Sequence, residues 1–155
     1  VIGSKRSEGM KIKLIILLLS VVPVLGQGEG FGIGLVLKDG LGLTAKYWLN
    51  EKTAAVGVIT PKGIQADYHI HNYDKIRPEL GRNPVYYGLG INIGSKQEGN
   101  ETETSIGIRV PLGILSYYHK NNYDLDFYID LVPTLDITPD THFWVDGTVG
   151  FRYYF

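Results

Sequence analysis

The last fourteen residues, His142 to Phe155 (HFWVDGTVGFRYYF), constrain this chain more than any other stretch. Counted back from the end, Phe155, Tyr153, Phe151, Val149, Gly147, Val145 and Phe143 form one alternating set. Tyr154, Arg152, Gly150, Thr148, Asp146, Trp144 and His142 form the other. Successive side chains of a strand point to opposite faces, so this period of two describes a strand with one apolar face and one polar or small face. A water-soluble domain rarely leaves Phe-x-Tyr-x-Phe bare at its end. The expectation is that the apolar face meets lipid and the other face lines the inside of a closed sheet.

The rest of the chain must then supply the other strands, and the same alternation recurs along it. Strands are predicted at 31–37, 41–49, 54–58, 64–71, 85–94, 106–118 and 124–131, ahead of the terminal one. Lys38-Asp39-Gly40, Asn50-Glu51-Lys52, Thr60-Pro61-Lys62-Gly63 and Thr138-Pro139-Asp140 punctuate them with turn chemistry. Asp74 to Asn83, with Pro78 and Gly81, and Ser95 to Thr104 (SKQEGNETET) are predicted as polar loops. Pro111 falls inside the sixth strand. It is expected to mark a bulge in one long strand, with Pro133 interrupting the partner strand at a similar height.

These segments are joined by hairpin-length links, and none is a helix long enough for a crossover. The fold class expected is all-β: an eight-stranded antiparallel up-and-down transmembrane β-barrel, the arrangement that leaves no open edge in lipid. Twenty glycines, eleven tyrosines and one methionine suit a turn-rich β protein. A mean hydropathy of -0.01 is too polar for a helical membrane protein but suits strands in which only alternate residues are apolar. With no cysteine there is neither a disulfide framework nor a thiolate metal site.

Lys11 and Lys13 precede an apolar run from Leu14 to Leu25, followed by Gly26 and Gln27. That is the order of a cleaved secretory signal peptide. Residues 1–26 are therefore expected to be an N-terminal extension plus signal peptide, and 27–155 the single barrel domain. Without residues 1–26 the chain holds 11 basic and 15 acidic residues, a net charge of -4, which argues against a nucleic-acid partner.

The inward set contains Lys46, Asp67, Arg109, Asp126, Asp130, Asp146 and Arg152. An eight-stranded barrel is just wide enough for side chains to fill, so these charges are expected to pair across a plugged interior. Tyr47, Tyr87, Tyr118, Phe127, Phe151, Tyr153 and Phe155 belong to the outward set and fall toward the rim that carries both chain ends, where a girdle of membrane-interface aromatics is expected. His69 and His71 share a strand face, but no third ligand is evident nearby, so neither a metal nor another cofactor is expected. Ser116 and His119 would fall on opposite faces near a turn, which gives no catalytic pair and no enzyme.

On the signal segment, the strand count and the terminal Phe155, the chain resembles the small OmpA/OmpX-like bacterial outer-membrane barrels over residues 31–155, and on Leu43-Thr44-Ala45-Lys46-Tyr47-Trp48-Leu49 and Ile108-Arg109-Val110-Pro111-Leu112-Gly113 it resembles functionally uncharacterised bacterial small-barrel proteins. The resemblance implies an outer-membrane location, lipid as the surrounding partner, and a C-terminal strand read by the barrel-assembly machinery. It also implies a monomer with both ends periplasmic, a structural or surface-interaction role, and no activity. Two alternatives remain at this stage. One is a soluble secreted lipocalin-like barrel with the apolar set inward around a small apolar ligand; the other is a narrow pore.

Overall fold

The computed structural model describes residues 30–72, 83–120 and 123–155 and, within these, all side chains but those of Glu98, His119, Lys120 and Tyr123. The extension and signal segment, residues 1–26, and all but Asn83 of the 74–83 loop lie outside the described residues. The described chain is all-β, with nine strands: β1 (Phe31–Leu37), β2 (Leu41–Trp48), β3 (Thr53–Thr60), β4 (Gly63–Asn72), β5 (Val85–Glu98), β6 (Glu101–Arg109), β7 (Leu112–Lys120), β8 (Tyr123–Thr138) and β9 (His142–Tyr154).

Every pairing is antiparallel, and the single sheet closes on itself through β1 and β9 into a ring. Nine strands occupy eight places in it, because β6 and β7 follow one another in the same gap between β5 and β8. Both ends of the ring's chain lie at one rim, where the Phe155 N–H donates to the Phe31 carbonyl at 3.0 Å.

Pro111 marks neither a turn nor the expected bulge. Gly90 faces Arg109 and Tyr87 faces Leu112, so the pairing with β5 keeps one register across the interruption; the pairing with β8 does the same, from Arg109↔Thr134 to Leu112↔Leu131. No residue is inserted. The ladder lapses because proline has no N–H: Pro111 and Pro133 each remove one donor at the same height. The Val110 N–H still reaches the Pro133 carbonyl, and the Gly88 N–H still reaches the Pro111 carbonyl, both at 2.9 Å. The irregularity in register lies instead between Ile106 and Gly107.

The 95–104 segment, expected as a polar loop, is mostly strand. Rather than a loop, it extends β5 and β6 into a paired hairpin, Lys96 opposite Glu103, that turns at Gly99 and Asn100. Its polar alternation carries no apolar face, so hydrophobic periodicity could not mark it as strand. Gly99 has φ +62, a conformation glycine adopts without strain.

Stepping across the ring from Ile33, the directly paired residues are Ala45, Gly57, Ala66, Ile91, Ile108, Leu135 and Phe143. Ile33 itself faces Tyr153 on β9, so one circuit climbs ten residues, from 143 to 153. An even climb keeps every inward residue beside inward neighbours, and a climb of this size tilts the strands and sets the width of the interior.

The two alternating sets differ in that the charged side chains gather on the inward one. The outward set is exposed and apolar, including Leu131 at 61% and Ile129 at 57%, whereas Arg152 is 1% exposed and Asp126 0%. This distribution is the reverse of a water-soluble domain.

Candidate functional site

The inside of the ring is packed with charged and aromatic side chains in successive layers. At one level Arg152 on β9 faces Asp126 on β8 directly, its Nε 3.0 Å from Oδ1 and 3.2 Å from Oδ2. The Tyr154 hydroxyl donates to the same carboxylate, and Arg152 Nη1 donates to Thr44 Oγ1 at 3.4 Å. The guanidinium also lies 4.1 Å from the centre of the Tyr128 ring. That ring lies across Gly150, where any Cβ would collide with it. The small inward residue therefore exists to admit the aromatic on which the arginine rests.

Beside this layer, Arg109 Nε is 3.1 Å from Asp67 Oδ1, close enough for an ion pair although no N–H is aligned along the contact. His69 Nε2 lies 3.7 Å from the other Asp67 oxygen, and its ring stacks on Tyr86 at 4.7 Å. Tyr86 donates to Asp130 Oδ2 at 2.7 Å. Lys46 Nζ sits 2.8 Å from His71 Nε2 and 4.1 Å above the Trp48 ring. An ammonium can only donate, so Nε2 is the acceptor, and the His71 proton lies on Nδ1, which donates to the Lys52 carbonyl at 3.1 Å. Val36, Val56, Val58 and Leu115 pack with Tyr86 and Tyr128 as the apolar filling.

Of the seven charges singled out by sequence, Lys46, Asp67, Arg109, Asp126, Asp130 and Arg152 are buried inside the ring. They do not form one cross-ring network of ion pairs: Lys46 and Asp130 are held by a histidine and a tyrosine. Asp146 lies apart near the turn rim, its side chain 17% exposed and paired with Lys38 at 2.8 Å. Asp136 and Lys96 were not singled out, yet they form the neighbouring pair at 3.5 Å, and Trp144 Nε1 donates to Asp136 Oδ2 at 3.1 Å. The signal was available in Asp136, which keeps the parity of Asp126 and Asp130 on β8. It was hidden because β8 was expected to stop at Leu131 and Lys96 was expected in a loop. These residues border a polar chamber of about 640 Å³ at the turn rim.

On the outside, Tyr47, Tyr87, Tyr118, Phe127, Phe151 and Phe155 are exposed, with Tyr153 half-buried, and all sit toward the rim of the chain ends. Phe127 and Phe151 lie side by side, ring centres 6.3 Å apart, and Tyr153 meets Phe155 edge-on at 5.1 Å. Ser105 faces inward and Ser116 outward; the side chain of His119 is outside the described ones. Among the described residues, no three His, Asp or Glu side chains gather where a metal ion could be held. What the interior can do chemically is hold the strands in register through these pairs.

No family model matches the chain, and no curated protein or solved structure matches it either.

Proposed function

We propose that this chain is a small outer-membrane β-barrel, OmpA/OmpX-like in kind, in which the ring spans lipid and its interior is plugged by buried charges and aromatics. One observation carries the reading: the exposed outward set is predominantly apolar around the ring, its polar members Ser95, Gln97, Thr102 and Thr104 lying toward the turn rim and Ser116 toward the other, while the residues hidden from solvent include lysine, arginine and aspartate. In water that surface would far exceed the apolar patches soluble proteins tolerate; in lipid it is the required one. On β8 the outward apolar residues run from Leu125 to Ile137, which at a rise of about 3.3 Å per residue and a tilt of about 40° gives about 30 Å of height, enough for an apolar band of about 25 Å.

Its role is structural or one of surface interaction, without catalysis. Lipid surrounds it, and the terminal aromatic strand β9 is what the assembly machinery reads. With both ends periplasmic, the turns at 38–40, 60–63, 99–100 and 139–141 face outward from the cell. The lipocalin-like alternative needs an apolar interior, and Arg152, Lys46 and Asp126 occupy that space.

Fractionation tests the reading directly. The protein should sediment with outer membranes and enter solution only with detergent; recovery as a freely soluble periplasmic protein would overturn it.

A further inference from the structure

Among the described residues, a chamber inside the ring at the turn rim is walled largely by polar side chains. We propose that it binds a neutral saccharide of one or two rings. This goes beyond the barrel reading and does not depend on it, since the chamber's walls are the same in lipid or in water.

Three observations define the ligand's chemistry. First, each lysine on the wall has a carboxylate beside it: Lys38 with Asp146 at 2.8 Å, Lys96 with Asp136 at 3.5 Å and Lys62 with Asp39 at 3.9 Å. A phosphate or a polyamine would have to displace an existing partner, so the site favours a ligand without net charge. Second, Asp136 is an inward side chain only 3% exposed, and its Oδ1, beside Gly107, has no hydrogen-bond partner. That oxygen is closed off from solvent, so a ligand hydroxyl reaches it only when the Asp136 carboxylate turns toward the chamber, and the donor gained there offsets the cost of an unpaired buried oxygen.

Third, the wall supplies further groups that suit sugar hydroxyls. Gln65 Nε2 donates to Asn92 Oδ1 at 3.3 Å, which leaves the Gln65 carbonyl oxygen and the Asn92 amino group as an acceptor and a donor side by side. Trp144, half-buried in the same wall, carries Lys38 Nζ over one face at 5.1 Å, so its indole can meet the C–H side of a sugar ring on the other face only. A volume of about 640 Å³ accommodates a mono- or disaccharide with room for bridging water. Such a sugar could be free or the headgroup of a glycolipid.

The test uses the whole chain purified in a zwitterionic detergent without a sugar headgroup, with tryptophan fluorescence as readout. Glucose, N-acetylglucosamine and lactose are the free probes, lactosylceramide in the same micelles is the lipid-borne one, and inorganic phosphate and putrescine are the charged comparators. A saturable response to at least one free sugar, weakened tenfold or more by Asp136→Asn and by Gln65→Leu, supports the proposal. A response to lactosylceramide alone, weakened in the same way, supports it with the headgroup as the source.

The proposal is overturned if no saccharide gives a saturable response while the far-ultraviolet β signal is intact. It is equally overturned if phosphate or putrescine outcompetes the sugars, or if both variants fold and bind sugar as the unaltered chain does. Gln65→Leu keeps the test sharp should Asp136→Asn fail to fold.

Discussion

Arg152 and Asp126 face one another directly on β9 and β8, and the two-pronged contact of Nε with both carboxylate oxygens is closed off from solvent on every side. Removing one partner leaves the other charged and buried, so Asp126→Ala or Arg152→Ala should each cost about 3–5 kcal/mol. The double variant Asp126→Leu with Arg152→Met strands no charge and should cost clearly less than the two single changes together. Urea unfolding in lipid vesicles, followed by tryptophan fluorescence, measures all three. Strictly additive single effects would show that the pair is not coupled.

Leu131 lies at the middle of the outward run on β8 and is 61% exposed. On a soluble protein an exposed Leu→Arg change is close to neutral, within about 0.5 kcal/mol. At the midplane of a bilayer the same change should cost about 2–4 kcal/mol. Leu131→Arg measured in vesicles therefore separates the two solvents: a neutral result there would mean that this face does not meet lipid.

How much of this was legible in the sequence depended on whether a strand carried an apolar face. β9 reads directly from the alternation that ends at Phe155, and β1, β2 and β4 read from theirs, because outward Leu and Ile alternate with smaller or polar inward residues; β3 reads only from Ala54, Val56 and Val58, which the structure turns inward while Ala55, Gly57 and Ile59 face out. The far ends of β5, β6 and β8 lose that contrast. Beyond Ile93 the outward positions of β5 are Ser95 and Gln97, so the paired hairpin looks like a loop to any measure of hydrophobic period. Pro133 likewise cut β8 short in the reading, although a proline there removes only one donor and leaves the strand continuous. Parity placed Asp67, Arg109, Asp126 and Arg152 inside, but it could not say who pairs with whom. Partnership depends on the ten-residue climb of the ring, which only the registers reveal.

The inward glycines make a further distinction testable. A Cβ at Gly150 would strike the Tyr128 ring, whereas one at the outward Gly57 meets nothing within 4 Å. Gly150→Val should destabilise by about 1–3 kcal/mol through overpacking, while Gly57→Val should stay within about 0.5 kcal/mol. Thermal or urea midpoints of the two variants, compared side by side, check the assignment of faces. Equal effects would mean that position 150 is not confined in the way the Tyr128 contact requires.

The same packed interior bears on conduction. Among the described residues, Val36, Val56, Val58 and Leu115 are buried together with Tyr86 and Tyr128 inside the ring, and in the plugged barrel proposed above they close the axis to a hydrated ion. In a planar bilayer the unaltered chain should give no sustained current at either polarity. Leu115→Ala combined with Tyr128→Ala removes two of the larger side chains from that layer while leaving the Arg152–Asp126 pair in place, and should produce measurable conductance if the doubly altered ring still folds. A steady open channel from the unaltered protein would contradict the plugged interior, because side chains packed to the density of a protein core leave no open path between them.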